Sequence, residues 1–290
     1  MGALPTNRGV TSGVPTTTHT QDLFKLNERT VIITGGIGAL GLELARAILE
    51  SGGDVISVDC VESPPTEPWG TLASLAKATS TKLWYHKCDI TDAEATHKVF
   101  SDAASQCRFP VRGLIACAGI CTTGPSADFS ISEFKRIVDV NLLGVFVSAQ
   151  AAAKIISKQG MGGSASIVFI ASMSGYVVNK GIACAAYNSS KAAVHQLTRS
   201  LAAEWGNPSN NQHNHPQIRV NSISPGYIRT RMTEELLKDP AQEPLMSGGS
   251  MLGRVSDPWE YRGPAVFLLS DASSFVTGAD LLVDGGYTGW

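Results

Sequence analysis

A glycine-rich turn between an apolar strand and an apolar helix is the feature that most constrains the fold of this chain. The β-branched run at residues 30–34 predicts a buried strand, residues 35–41 hold four glycines, and apolar residues recur at helical spacing over residues 42–49. Glycines let the backbone approach a pyrophosphate at a helix N-terminus, where free N–H groups and the helix dipole favour anions. The order of strand, glycine turn and helix therefore predicts a dinucleotide site, whereas a glycine turn alone suits any tight strand–helix connection.

The residue that ends the second predicted strand indicates which dinucleotide is preferred. Residues 55–59 form a short apolar run that closes with Asp59, about 20 residues beyond the glycine turn. A carboxylate at this point accepts both hydroxyls of an adenosine ribose and repels a 2′-phosphate. Asp59 therefore favours NAD over NADP; the alternative is a turn aspartate that caps the next segment.

Strand and helix patterns alternate along the rest of the chain. Further strands are predicted at residues 82–89, 113–119, 166–170, 218–223 and 280–284. Helices are predicted from about residue 92, over residues 131–157 in one or two pieces, and over residues 258–269. This alternation predicts an α/β fold, a single Rossmann-type doubly wound parallel sheet flanked by helices, over residues 25–290. Residues 1–24 predict a flexible N-terminal arm, and residues 230–255 a lid over the substrate.

Composition argues against several other classes of protein. The formal net charge of -2 gives no basic face for nucleic acid, and no purely apolar run approaches the roughly 20 residues that cross a bilayer. The first 24 residues lack the apolar core of a secretory signal. Six cysteines without a C-x-x-C pair predict reduced thiols in a cytoplasmic protein and no metal site; His213 and His215 are more simply exposed histidines of an insertion.

A tyrosine and a lysine four positions apart supply the candidate chemistry. Tyr187 and Lys191 would share one face of a helix, where the ammonium is expected to lower the pKa of the phenol from about 10. A phenol of this kind is a general acid/base for moving a proton on or off an alcohol. The alternative for an isolated pair is an ordinary amphipathic helix with a half-buried tyrosine and a surface lysine.

Two further groups accompany this pair. Ser172 and Ser174 follow the predicted strand at residues 166–170, where a hydroxyl can bond a substrate oxygen or simply shape a turn. Asn141 lies inside an apolar helical run, so it needs buried partners. It either bonds the backbone of a kinked helix or holds a water that relays protons.

Taken in order, these residues resemble the short-chain dehydrogenase/reductase family over residues 27–290. The local sequences around Ser172 and at the C-terminal residues 284–288 are most similar to the fungal polyol dehydrogenase branch, whose substrates include sorbose, mannitol and arabinitol. The matching positions are Thr34, Gly35 to Gly41, Asp59, Asp89, Ala116 to Gly119, Asn141, Ser172, Tyr187, Lys191, Pro225, Gly226, Thr230 and residues 277–286. Two positions depart from the family pattern: Ala39 stands where the turn usually has glycine, and the turn at residues 116–119 lacks its usual asparagines.

The resemblance implies an NAD(H)-dependent enzyme that interconverts a secondary alcohol and a ketone. Tyr187 would exchange the proton, Lys191 would hold the nicotinamide ribose, Asn141 would anchor a relay water, and Ser172, with Ser174 as rival, would bond the reacting oxygen. Ile228 and Thr230 would hold the carboxamide end. The implied cofactor contacts are Gly35, Ile37, Gly38, Leu40, Gly41, Asp59, Asp89, Ile90, Ala116, Ala118, Gly119, Tyr187, Lys191, Ile228 and Thr230. A homo-oligomer, tetramer or dimer, is also implied.

The substrate stays open between two classes. The resemblance implies a polyol or sugar alcohol. A larger apolar ketone or alcohol of specialised metabolism is the alternative, because several residues are candidates to line an apolar substrate pocket: Met173, Tyr176, Tyr227, Met232, Leu236, Leu237, Met246 and Met251. A catalytically inactive cofactor-binding scaffold is a third possibility, which the presence of Tyr187, Lys191 and Asn141 together disfavours.

Overall fold

The fold is a seven-stranded parallel sheet with helices on both faces, as the sequence predicts. The computed structural model describes residues 15, 17–159, 165–207, 216–238 and 242–290. The strands are β1 Thr30–Thr34, β2 Asp54–Asp59, β3 Leu83–Lys87, β4 Val111–Ala116, β5 Ala165–Ile170, β6 Ile218–Pro225 and β7 Asp280–Val283. Their order in the sheet is β3-β2-β1-β4-β5-β6-β7. The direction of winding reverses between β1 and β4, and a crevice opens there beyond the carboxyl ends of the strands.

Nine helices in the described residues connect or flank these strands. They are α1 Ala39–Glu50, α2 Thr66–Ala78, α3 Ala93–Ser105, α4 Ile131–Val138, α5 Val145–Lys158, α6 Ala185–Trp205, α7 Arg231–Leu237, α8 Gln242–Gly248 and α9 Arg262–Leu269. Because both faces of the sheet are covered, its strands are apolar on both sides. Ile32 and Leu114 belong to the core beneath α3, α5 and α6, whereas Val31 and Ile115 belong to the core beneath α1, α2 and α9.

The helix predicted at residues 131–157 is one helical run with a π-helical segment, Asp139–Gly144, between α4 and α5. Among the described residues this run, residues 131–158, is the one helix long and apolar enough to cross a membrane by length and composition. Since 61% of its apolar window is buried inside the protein, it has the character of a core helix. Asn141, a predicted catalytic residue, lies in the π-helical segment, where the regular α-helical hydrogen bonding is interrupted.

The predicted arm and lid contain local structure. Within the arm, Thr20–Phe24 is a 3-10 helix, and the Phe24 ring lies 6.5 Å from the Phe267 ring of α9. Most of the arm, residues 1–14 and 16, and both histidines of the insertion lie outside the described residues. The lid region contains α7 and α8, and a 3-10 turn, Pro258–Tyr261, begins the helix predicted at residues 258–269.

Candidate active site

The turn between β1 and α1 depends on close backbone contacts. Gly35 has a positive φ of 65°, and a Cβ at this position would lie 2.7 Å from the Ala118 Cα. At Gly41 a Cβ would lie 2.2 Å from the Gly35 carbonyl oxygen. Gly38 differs, because a Cβ there would approach only the Gly35 oxygen, at 3.4 Å. Gly35 and Gly41 therefore keep the turn tight, whereas Gly38 leaves open space.

The N-terminus of α1 is suited to an anion. Gly38 is its N-cap and gives no side-chain cap, and the first turn contains no acidic residue. The first backbone N–H groups of a helix have no partners within the helix, so they remain available to a pyrophosphate. The uncapped helix end and the space at Gly38 fit a dinucleotide.

Asp59 lies at the end of β2, beside this turn. One carboxylate oxygen accepts a hydrogen bond from the Cys60 backbone N–H at 2.8 Å, and the other accepts one from the Ile37 N–H at 3.4 Å. These donors fix the carboxylate at the crevice and leave lone pairs for the hydroxyls of a ribose.

One cavity of about 610 Å³ joins this end of the crevice to the Tyr187 end. Thirteen of the predicted cofactor contacts line it: Gly35, Gly38, Leu40, Gly41, Asp59, Asp89, Ile90, Ala118, Gly119, Tyr187, Lys191, Ile228 and Thr230. Ile37 and Ala116 do not line it. Ile37 acts through its backbone N–H on Asp59, and Ala116 is buried as the last residue of β4, so the cavity begins at the residues after it.

Tyr187 and Lys191 face each other at the other end of the cavity. The Lys191 Nζ lies 5.7 Å from the centroid of the Tyr187 ring and donates a hydrogen bond to the Ile170 carbonyl oxygen at 2.7 Å. The lysine is 4% exposed, and burial lowers its pKa to about 8. The predicted helix thus places both groups on one face, with the ammonium anchored to the end of β5.

The pKa of Tyr187 differs from the expectation based on sequence. Burial raises the pKa of the phenol, and a hydrogen bond with Ser172 opposes that rise. The expected lowering by Lys191 is absent because both groups are taken out of water, and removing the solvation of the phenolate outweighs the neighbouring ammonium. The protein alone therefore holds Tyr187 as a neutral phenol.

Of the two candidate serines, Ser172 is the one whose hydroxyl lowers the pKa of the Tyr187 phenol. The Ser172 Oγ also accepts a hydrogen bond from the Ser174 backbone N–H at 3.1 Å, which caps the 3-10 turn Met173–Gly175. Ser174 is buried and also lines the cavity. The geometry favours Ser172 as the partner of the reacting oxygen.

Asn141 does not line the cavity; it braces one wall. Its side chain accepts a hydrogen bond from the Ile120 backbone N–H and donates one to the Ile120 carbonyl oxygen, both at 2.9 Å. It also donates to the Ser190 Oγ at 3.0 Å. A Cβ at Gly119 would lie 3.5 Å from both the Asn141 Oδ1 and the Lys191 Nζ, so the amide and the ammonium border the same glycine.

The substrate end contains residues that sequence reasoning did not assign. Asn179, Ile182, Cys121 and Cys184 line the cavity, and no motif or spacing marked them. Among the proposed apolar residues, Met173, Tyr227 and Met232 line it. Tyr176 instead stacks on His195, Met246 lines a separate small cavity, and Met251 packs near Gly286. The side chains of Leu236 and Leu237 lie outside the described residues. The described residues contain no group of three or more potential metal ligands.

Comparisons with known proteins identify the family. A family model described as enoyl-(acyl carrier protein) reductase matches residues 36–288. A short-chain dehydrogenase/reductase of Aspergillus versicolor, notP', is 49% identical and covers 92% of this chain and 90% of its own. An NADH-dependent L-xylulose reductase of Ambrosiozyma monospora is 36% identical over 92% of this chain and 97% of its own. The crystal structure of the NADPH-dependent 3-quinuclidinone reductase of Rhodotorula rubra superposes with a TM-score of 0.84, at 34% identity and 99% coverage of both chains.

The fold, the dinucleotide crevice and the Tyr187 end define an oxidoreductase that uses a nicotinamide dinucleotide to interconvert an alcohol and a ketone. The chain belongs to the short-chain dehydrogenase/reductase family.

Proposed function

We propose that this protein is an NAD-preferring dehydrogenase/reductase in which Tyr187 exchanges the proton of the substrate hydroxyl. The observation that carries this assignment is the meeting of Tyr187, Ser172 and Lys191 at one end of a cavity whose other end is Asp59. A nicotinamide dinucleotide in this cavity would accept the hydride of an alcohol or supply one to a ketone.

The residues at this end have complementary roles. Ser172 donates a hydrogen bond to the reacting oxygen, where charge develops, and Tyr187 takes or gives the proton. Lys191, whose Nζ lies 5.7 Å from the phenol ring and donates a hydrogen bond to the Ile170 carbonyl oxygen, would hold the nicotinamide ribose. Asn141 keeps the wall at Ile120 in place and, next to Gly119, lies where it can anchor a relay water between Lys191 and solvent.

The preference for NAD is supported by Asp59. Its carboxylate is held by two backbone N–H groups at the crevice, where it would repel a 2′-phosphate. The relatives are divided on this point: one is named NADH-dependent L-xylulose reductase and another, of Hypocrea jecorina, NADP-dependent mannitol dehydrogenase. Asp59 favours the first behaviour for this chain.

The first candidate substrate is a polyol or the corresponding ketose. The support comes from relatives named for L-xylulose, D-arabinitol and mannitol, each 34–36% identical to this chain.

The second candidate is a larger apolar ketone, and the cavity wall favours it. Ile120, Val140, Met173, Ile182 and Met232 offer no polar side-chain atoms that would match a row of hydroxyls.

A substrate panel read by NADH absorbance tests the proposal. Polyols, ketoses and apolar secondary alcohols are compared for kcat/KM in wild type and in Tyr187→Phe. The variant is expected to lose activity by about 10²–10⁴-fold while still binding NADH, since only the acid/base group is removed. Near-normal turnover in Tyr187→Phe would reject the assignment, and the better class in the wild-type panel decides between the two substrates.

We also propose a cytoplasmic homo-oligomer. All six cysteines are free thiols, as expected in a reducing compartment. Phe275 is fully exposed and Trp290 is 82% exposed, which is unusual for large apolar side chains and suits a contact between copies. Light scattering of wild type and of Phe275→Ser tests this proposal, with a smaller assembly expected for the variant; a monomeric wild type would reject it.

A further inference from the structure

A polar pair lies in the substrate end of the cavity and has no role in the proton transfer. Asn179 comes from the loop between β5 and α6, and Tyr227 follows β6. The Asn179 Nδ2 donates a hydrogen bond to the Tyr227 hydroxyl oxygen at 2.9 Å. Both residues line the same cavity as Tyr187 and Ser172, and Asn179 is only 5% exposed.

This pair lies close to the reacting groups. The Cys184 thiol lies 3.6 Å from the Asn179 Oδ1 and 3.1 Å from the Asn188 Oδ1, one residue beyond Tyr187 in α6. Cys184 therefore connects Asn179 to the first turn of α6, the turn that contains Tyr187.

The hydrogen bond from Asn179 determines what Tyr227 can offer. Because an amide N–H occupies a lone pair of the Tyr227 oxygen, the hydroxyl proton is directed elsewhere. Burial raises the pKa of Tyr227, so at neutral pH the group keeps that proton and acts as a donor. The ring of Tyr287 packs edge-on, with the ring centroids 5.6 Å apart, and its hydroxyl is the neighbouring group that competes for the proton.

Part of the wall around this pair is apolar. In the proposed mechanism, Tyr187 and Ser172 already bind the reacting oxygen of the substrate. Ile120, Ile182 and Met232 contribute apolar surface to this cavity. A ligand that shields the Tyr227 hydroxyl from water and supplies no acceptor would cost free energy, so a ligand that supplies an acceptor in competition with Tyr287 is favoured over one that does not.

We propose that Asn179 and Tyr227 form a specificity subsite that binds a second oxygen of the substrate, so that hydroxyketones and diols are preferred over lone ketones and alcohols. This inference rests on the proposed function and deepens it. It applies to a polyol and equally to a larger apolar substrate that carries one additional oxygen.

The test uses matched substrate pairs that differ by one oxygen, such as acetoin against 2-butanone and 1,2-cyclohexanediol against cyclohexanol. Wild type is expected to favour the oxygenated member of at least one pair by tenfold or more in kcat/KM. In Tyr227→Phe that ratio should fall about tenfold, mainly through a higher KM for the oxygenated member. Asn179→Ala should lower the ratio in the same direction, because it removes the group that orients the proton.

Two tyrosines provide controls. Tyr176→Phe alters a phenol outside the cavity and should leave the ratio unchanged. Tyr287→Phe removes the competing hydroxyl and should leave the ratio unchanged or raise it. A ratio that stays the same in both Tyr227→Phe and Asn179→Ala, with thermal stability retained, would overturn the subsite. A wild type that turns over no member of any pair or of the substrate panel would instead reject the proposed function, and the subsite with it.

Discussion

The two ends of the cavity are assembled in different ways. The cofactor end is built mainly on one continuous stretch, residues 30–59, to which Asp89, Ile90, Ala118 and Gly119 add contacts. It depends on backbone: missing side chains at Gly35 and Gly41, an uncapped helix and one carboxylate. The reacting end collects side chains from helix α6 and from the loops after β5 and β6, and hydrogen bonds to side chains hold those loops. Substitutions at the first end should therefore act through space and shape, and substitutions at the second through polar partners.

The largest effect on the cofactor end is expected for Gly41→Ala. The new Cβ would lie 2.2 Å from the Gly35 oxygen and 2.8 Å from the Gly36 Cα, and backbone cannot move away as a flexible side chain can. Overpacking of this kind costs about 2–3 kcal/mol of unfolding free energy and should abolish dinucleotide binding. Chemical denaturation and NADH fluorescence titration measure the two effects.

Gly38→Ala is the matched control in the same turn. Its Cβ would meet only the Gly35 oxygen, at 3.4 Å, so the free energy of unfolding should change by less than about 0.5 kcal/mol. Because the Cβ enters the cavity, NADH binding should still weaken. Equal destabilisation by the two substitutions would show that close backbone packing is not what sets the cofactor end apart.

The cofactor end was the more predictable from sequence, for a physical reason. A strand, a glycine turn and a helix are local patterns, and the position of Asp59 follows once two neighbouring strands are recognised. The overall sheet follows from the same alternation. By contrast, Asn179 and Tyr227 meet across 48 positions of sequence, and nothing local indicates that contact.

The pKa of Tyr187 is a second property that local sequence does not indicate. The spacing of Tyr187 and Lys191 correctly places both on one helix face, but spacing carries no information about burial. Desolvation raises the pKa of the phenol, a direction opposite to the sequence-based expectation. Which of Ser172 and Ser174 meets the phenol depends likewise on the short turn that Ser172 caps.

A smaller effect is expected for Asp59→Ala, which should lower the preference for NAD without preventing folding. Loss of the hydrogen bonds that the ribose hydroxyls donate to the charged carboxylate corresponds to about 2 kcal/mol, or roughly a 30-fold fall in the NAD/NADP ratio of kcat/KM. Steady-state kinetics with both cofactors measure the ratio. Glu62→Ala, which removes a nearby exposed carboxylate, is the control. A wild type that already prefers NADP would show that Asp59 does not select the cofactor.

The smallest predicted effect concerns His195, beneath the reacting end. It is 3% exposed, its Nε2 lies 2.8 Å from the Ser224 Oγ, and its ring stacks on Tyr176 with centroids 4.1 Å apart. A Cβ at Gly175 would lie 2.6 Å from its Cε1, so the turn that positions Ser172 rests on this ring.

Burial lowers the pKa of His195, Asp280 opposes that change, and Arg199 and Lys191 reinforce it. Since the unfolded chain then binds the proton more readily, stability is complete above about pH 6.5 and is lost as the pH falls below that value. His195→Gln should reduce the dependence of the unfolding free energy on pH. The resulting change in unfolding free energy should be smaller than the one expected for Gly41→Ala. Urea unfolding between pH 5 and 8 measures the slope, with His19→Gln, at an exposed site, as control. An unchanged slope in His195→Gln would assign the acid sensitivity to other groups, such as the partly buried His86, whose pKa burial also lowers.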